Sequence, residues 1–233
     1  MIYRLKYKKT QEGRFLSHLD LLRTMQRTFR RAGLPLAYSE GFNPHPKISF
    51  GSALAVGVTS DGEYLDFELR REMPVAEIVS RLEAAMPPAL EVLALRELTG
   101  RQDSLMAEIN MARYRVEIPL EGTIGRGDAE QMAELLLGED RILIEREGKK
   151  GLRTVDIRPG IYDFKAEAEA GLLILFMDLQ TGSSGNVRPE EVAEWLRRSV
   201  LEPRGLAVRG NIKIHRLGLF VRENEKIRTP LDF

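Results

Sequence analysis

Residues 2–33 read IYRLKYKKTQEGRFLSHLDLLRTMQRTFRRAG, and the periodicity changes once along this stretch. From Ile2 to Lys8 the apolar Tyr3, Leu5 and Tyr7 alternate with Arg4, Lys6 and Lys8, the period-two pattern of a half-buried strand. Ser17 then opens a helix, with Asp20 three residues later as a capping-box-like partner. Leu19, Leu22, Met25, Phe29 and Ala32 recur every three or four residues and predict one buried face. Arg23, Arg27, Arg30 and Arg31 share another face at the same spacing, and Gly33 and Pro35 end the helix.

Downstream, Lys47–Val56 and Glu63–Leu69 read as strands around a Ser60-Asp61-Gly62 turn. A helix follows over Val75–Met86, stopped by Pro87-Pro88, and then a strand over Leu90–Leu98. This order, β-α-β-β-α-β, predicts a split βαβ unit of ferredoxin-like type. Thr99–Asp103 is polar and reads as a linker, and Ser104–Met111 as a short helix. The second half repeats the theme: strand Tyr114–Leu120, helix Asp128–Leu137, strands Arg141–Arg146 and Leu152–Ile157 around a Lys149-Lys150-Gly151 turn, and an extra strand at Ile161–Ala166. Gly171–Leu179 is continuously apolar, as a central strand covered on both faces would be. Pro189–Val200 reads as a helix and Leu206–Arg216 as the closing strand. The expected fold is α+β, two consecutive ferredoxin-like (βαββαβ-type) units with antiparallel sheets. The first would cover 1–98 and the second 113–233, with 99–112 as linker and short helix.

Lys plus Arg and Asp plus Glu both number 35, so net charge favours no partner of either sign. Neutrality hides an asymmetry, because residues 1–50 carry ten basic residues against three acids. A basic block compensated by an acidic body suggests an anion-binding surface near the N-terminus. The chain has no cysteine, which removes disulfides, thiolate nucleophiles, cysteine-based zinc sites and any iron–sulfur cluster on its own thiolates. Charges interrupt the opening MIYRLKYKK, so no signal-peptide core is expected there. The apolar run Gly171–Met177 falls far short of the roughly 20 residues that span a bilayer. A cytoplasmic protein without membrane contact is the expectation.

Two segments stand out as chemistry. In Tyr38-Ser39-Glu40-Gly41-Phe42-Asn43-Pro44-His45-Pro46-Lys47, two prolines stiffen the backbone on either side of His45, between Asn43 and Lys47. Rigidity of that kind suits a group presented to a ligand, and equally suits a structural loop entering a strand. His18 sits at the first turn of the basic helix, where free amides and the helix dipole favour an anion beside Arg14 and Arg23 and disfavour an extra proton on the imidazole. The arginine stripe would supply phosphate contacts, or be a solvated helix face. In a ferredoxin-like unit Arg4, Lys6 and Lys8 would line the open face of the sheet, where RNA binders of that fold meet RNA, although no RNP-type aromatic motif is present. His18, His45 and His215 are the only histidines and lack metal-ligand spacing, so no metal and no cofactor is expected. The Gly-rich stretches at 122–127 and 181–185 lack the P-loop ending, and no Gly-x-Ser-x-Gly elbow occurs.

The segment RFLSHLDLLRTMQRTFRRAGLPLAYSEGFNPHPKISF (14–50) resembles the bacterial radical SAM-linked protein family, a domain of unknown function. The resemblance continues through Gly57-Val58 and Gly62-Glu63-Tyr64-Leu65-Asp66 to about Leu69. It extends across the chain at Val155-Asp156-Ile157-Arg158-Pro159. Members are encoded beside, or fused to, cobalamin-binding-type radical SAM proteins, which implies such a protein as partner. Without cysteines this chain is not itself a radical SAM enzyme. The resemblance therefore implies an accessory module that recognises a substrate, with RNA the suggested class. Arg14, His18, Arg23, Arg27, Arg30, Arg31, Asn43, His45 and Lys47, with Arg4, Lys6 and Lys8, would form its anion-binding surface. Two alternatives stand beside it: a metal-independent RNA endonuclease using His18 or His45 as general acid or base, and a protein-docking scaffold that binds no RNA.

Overall fold

The change of period at residues 2–33 becomes β1 (Ile2–Lys9) followed by α1 (His18–Arg31). The chain continues through β2 (Ile48–Phe50), β3 (Thr59–Glu68), α2 (Val75–Ala85), β4 (Leu90–Leu98) and the single turn α3 (Leu105–Glu108). Then come β5 (Met111–Glu121), α4 (Arg126–Gly138), β6 (Leu143–Gly148), β7 (Gly151–Asp156), β8 (Ile161–Glu169), β9 (Leu172–Gln180) and α5 (Pro189–Leu196). The last strands are β10 (Ala207–Val208), β11 (Lys213–Glu223) and β12 (Lys226–Arg228). This computed structural model describes residues 1–100, 103–148, 151–169 and 171–232. Arg101 and Gln102 of the expected linker, and Lys149 and Lys150 of the expected turn, lie outside the described residues.

The architecture is mixed α/β on mostly antiparallel sheet, in two units: Met1–Asn110 with Arg216–Phe233, and Met111–His215. In the first, β1 lies between β4 and β3 and is antiparallel to both. The short β2 pairs antiparallel with residues 65–67 of β3, and β11 also neighbours β3. Tyr3, Leu5 and Tyr7 of β1 share one core with Leu65 and Phe67 of β3, Met25 and Phe29 of α1, and Ile78 and Leu82 of α2. Each such side chain taken out of water is worth about 1.5–3 kcal/mol, so this face fixes the register of the strands.

In the second unit β9 lies between β5 and β8, antiparallel to each, and β10 pairs antiparallel with β5. The expectation of a central, doubly covered strand holds for β9, where Leu173, Ile174, Leu175, Met177 and Leu179 are buried. Between α4 and β8 the chain makes a separate hairpin, β6–β7, paired from Leu143↔Asp156 to Gly148↔Gly151.

Several expectations need correction. Ser60-Asp61-Gly62 is not a turn but part of β3, and a Cβ on Gly62 would meet Gly218 Cα of β11 at 3.2 Å. The glycine serves a close approach between neighbouring strands rather than a reversal. The strand expected over Lys47–Val56 shortens to Ile48–Phe50. On α1 the buried residues are Leu21, Met25, Thr28 and Phe29, while Leu19 is 61% exposed. The strand expected at Leu206–Arg216 breaks into β10 and β11, and β11 runs on to Glu223. Where the sequence reading ends the first unit at residue 98 and runs the second from 113 to 233, the structure returns the chain to the first unit from Arg216. One buried ion pair marks the return. Arg216 Nε and Nη2 each donate at 2.7 Å to the Glu63 carboxylate, and Nη2 also reaches Ser52 O at 3.1 Å.

Candidate nucleic-acid interface

The candidate surface is built where β1 gives way to α1. Lys9 ends the strand on the same parity as Tyr3, Leu5 and Tyr7, and its side chain is buried. Its Nζ donates to Arg14 O and Leu16 O, both at 3.2 Å, so a buried ammonium ties down the turn that precedes the helix. Burial pushes the Lys9 amine down, against the pull of Glu63. Gly13 is held against the neighbouring segment, where a Cβ would collide with Ala89 O, and Thr10 N donates to the same oxygen at 3.1 Å.

For Lys9 the linkage has a definite sign. Between its lowered folded pKa and 10.5 the unfolded chain binds the extra proton, so this residue's contribution to stability rises with pH there. The stability difference between wild type and Lys9→Met, by urea unfolding at about pH 8 and near 10.5, is expected to shift toward wild type at the higher pH. An unchanged difference would contradict the burial cost. Lys9→Met should also speed hydrogen exchange of the amides around residues 13–16, because Leu16 O loses the Lys9 ammonium and Arg14 O keeps only the Gly57 amide.

Ser17 caps α1 as expected: its Oγ accepts from Asp20 N at 3.2 Å and donates to Asp20 Oδ2 at 2.6 Å. That bond, with the fields of Arg23 and Arg27, holds the Asp20 carboxyl below its usual range. Arg23, Arg27, Arg30 and Arg31 are all exposed. Arg31 Nη2 is anchored on Ala85 O at 2.8 Å, at the end of α2, and Arg27 reaches back to Thr24 Oγ1 at 3.4 Å. Arg14 lies over the Phe15 ring, 4.4 Å from guanidinium carbon to centroid.

The proline-rich loop is a closed hairpin. Ser39 N donates to His45 O at 2.8 Å, His45 N donates to Ser39 Oγ at 3.0 Å, and Tyr38 bridges Pro46. Phe42 and Asn43 stand exposed at its tip, with His45 exposed beside them. Lys47 pairs with Glu68 at 2.9 Å. His18 packs edge-on against Phe50, with ring centroids 5.4 Å apart. The two histidines thus have different neighbours, Phe50 for one and Ser39 for the other. Among the described residues no three His, Asp or Glu side chains gather as a metal-ligand set.

The other basic residues of β1 divide. Arg4, expected on an open sheet face, is fully buried and is corrected to a structural residue. It donates twice to Asp66, at 2.8 and 2.9 Å, once to Glu108 at 2.7 Å and once to Pro230 O at 2.8 Å. α3 and the chain at Pro230 cover the sheet at this point, which period-two reading of one strand does not reveal. Lys8 is paired with Asp61 at 3.0 Å, and Lys6 Nζ stands 6.0 Å from the Tyr64 ring centroid. The sequence reading missed Lys9 as the residue that pins the helix entry, although its parity with Tyr7 was a usable signal. It also missed the exposure of Phe15 and Phe42, which no period reports.

The class this defines is a mixed α/β protein with an exposed arginine-rich helix face and a proline-braced hairpin closed by its own hydrogen bonds. The chain belongs to the DUF2344 family, described as an uncharacterized protein conserved in bacteria, whose model matches residues 3–189. No curated protein matches the chain. Among solved structures it is similar in fold to a chain of "Crystal Structure of a Cbf5-Nop10-Gar1 Complex", at 12% identity and TM-score 0.52, covering 92% of this chain and 47% of that one. A chain of "Crystal structure of the archaeal box H/ACA sRNP Nop10-Cbf5 complex" matches at 11% identity and TM-score 0.46, covering 92% and 46%. The chain thus spans about half the length of these two solved chains. No described helix is long and apolar enough to cross a membrane.

Proposed function

We propose that this protein is an RNA-recognition module that works with a separate enzyme, a radical SAM protein in the reading that the family resemblance implies. The observation that carries RNA is the exposed face of α1. Arg4, Lys8 and Lys47 are taken up by Asp66, Asp61 and Glu68, while Arg23, Arg27 and Arg30 project to the surface. Guanidinium groups spaced along a helix suit a phosphate backbone. Arg14, His18, Asn43 and His45 border the same surface in this reading, and Arg31 extends it toward α2. The chain similar in fold sits in a Cbf5-Nop10-Gar1 complex, which fits a module that acts beside a partner. We read both units as ferredoxin-like. β4-β1-β3 with the short β2 on part of β3, and β10-β5-β9-β8 with the β6–β7 hairpin inserted, support that reading of the strand order.

Binding of total cellular RNA across a salt series tests this. The expected result is binding at low salt that falls steeply as salt rises, with the RNA left intact. No binding at low salt would overturn the reading in favour of protein docking, and cleavage lost in His18→Ala would replace it with a nuclease. A finer prediction concerns Asp20, whose carboxylate lies in the field of Arg23 and Arg27. Asp20→Asn keeps the backbone amide that Ser17 accepts and removes a charge that opposes phosphate, so RNA affinity should rise about two- to fivefold at low salt. Equal affinity in filter binding would place the phosphates away from the first turns of α1.

A further inference from the structure

All the large exposed aromatic side chains among the described residues, Phe15, Tyr38 and Phe42, fall within the basic N-terminal block, and none lies in residues 111–215. Phe15 is 66% exposed just before α1. The chain then places Leu19, Arg23 and Arg27 at four-residue steps, all exposed, so an apolar start leads into a basic ridge. Phe15 does no core work, since the apolar residues that anchor α1 are Leu21, Met25 and Phe29. Its ring already carries the Arg14 guanidinium, and Tyr38 carries that of Arg70 at 5.5 Å, so cationic groups lie over aromatic faces at both positions. Phe42 is fully exposed at the tip of a hairpin whose base is fixed by the Ser39–His45 hydrogen bonds. A stiff loop holding an aromatic ring in water bears a standing hydrophobic cost that a stacked base would relieve.

Aromatic rings interleaved with guanidinium groups are the chemistry of an unpaired strand, because the bases of a duplex are already stacked and turned inward. We infer that the surface described above takes single-stranded rather than double-stranded RNA, with Phe15 and Phe42 as base-stacking contacts and Arg23 and Arg27 on the phosphates. The inference rests on the RNA-binding reading and names its substrate class.

The test compares an unstructured oligoribonucleotide with a self-complementary hairpin of similar length, using the full chain and the variants Phe15→Ala and Phe42→Ala. The wild type is expected to prefer the unpaired oligonucleotide. Each variant should lose about fivefold to a hundredfold in affinity for it, with the salt slope unchanged because no charge is removed. Both rings are exposed, so thermal unfolding of the variants should match wild type, which separates lost stacking from lost folding. Equal or tighter binding of the hairpin, or variants that bind as wild type does, would overturn the inference while leaving RNA binding intact. Absence of binding to either RNA would overturn both. Equal binding of the matching single-stranded DNA would support the stacking contacts, since base stacking needs no ribose hydroxyl.

Discussion

Replacing Arg216 by Met is expected to destabilise the first unit by about 3–5 kcal/mol, seen as a marked fall in its urea midpoint. The Glu63 side chain is 5% exposed and takes both its short hydrogen bonds from this one guanidinium. Removing the arginine leaves a carboxylate out of water without its hydrogen-bonded partner, with only the field of the Lys9 ammonium against its charge, and also strips a donor from Ser52 O. The double variant Arg216→Met/Glu63→Leu should recover most of the loss, because a buried ion pair is often replaceable by apolar side chains of similar size. A midpoint within experimental error of wild type for the single variant would show that the pair is hydrated. The partners are separated by 153 residues, so the result also tests whether the C-terminal strand is needed for the first unit to hold its site. Lys9, which fixes the turn before α1, lies in the field of the same two groups.

Replacing Arg23 and Arg27 together by Ala should cost RNA affinity about tenfold or more at low salt. It should also make the dependence of log affinity on log salt shallower by about 1.4, at ~0.7 per phosphate contact on a single strand. Both side chains are exposed, so stability should change by no more than about 0.5 kcal/mol, less any few tenths from helix propensity. The contrast with Arg4→Ala is informative. Arg4 counts equally toward the basic block, yet its guanidinium is spent on Asp66, Glu108 and Pro230, so its loss should unfold rather than weaken binding. If Arg23→Ala/Arg27→Ala kept both the affinity and the slope of wild type, the stripe would be a solvated helix face.

How far the sequence alone carries is visible in these same residues. The period change at Ser17 located β1 and α1 because both elements bury one face against a common core, and burial writes a period into the chain. The Ser17–Asp20 cap and the apolar run of β9 were legible for the same reason. Arg4 was not, since its partners stand far along the chain, at Glu108 and Pro230, and a strand's alternation says which face a residue takes but not what covers it. Gly62 was misread because a glycine for close strand approach and a glycine for a turn look alike in sequence. Leu19 fitted the helical period two residues before the buried Leu21, and only packing against β1 and α2 decides between two such phases. The basic stripe was legible as spacing, whereas the aromatic exposure beside it follows from where the core ends.

Ultraviolet crosslinking of an unstructured RNA to the wild-type protein at low salt, followed by mass spectrometry of the adducts, reports the contact surface itself. Adducts within residues 14–31 and 38–47 are the predicted result. Adducts confined to residues 111–215, or bound RNA that yields none in the basic block, would contradict the assignment of the α1 face as the nucleic-acid surface.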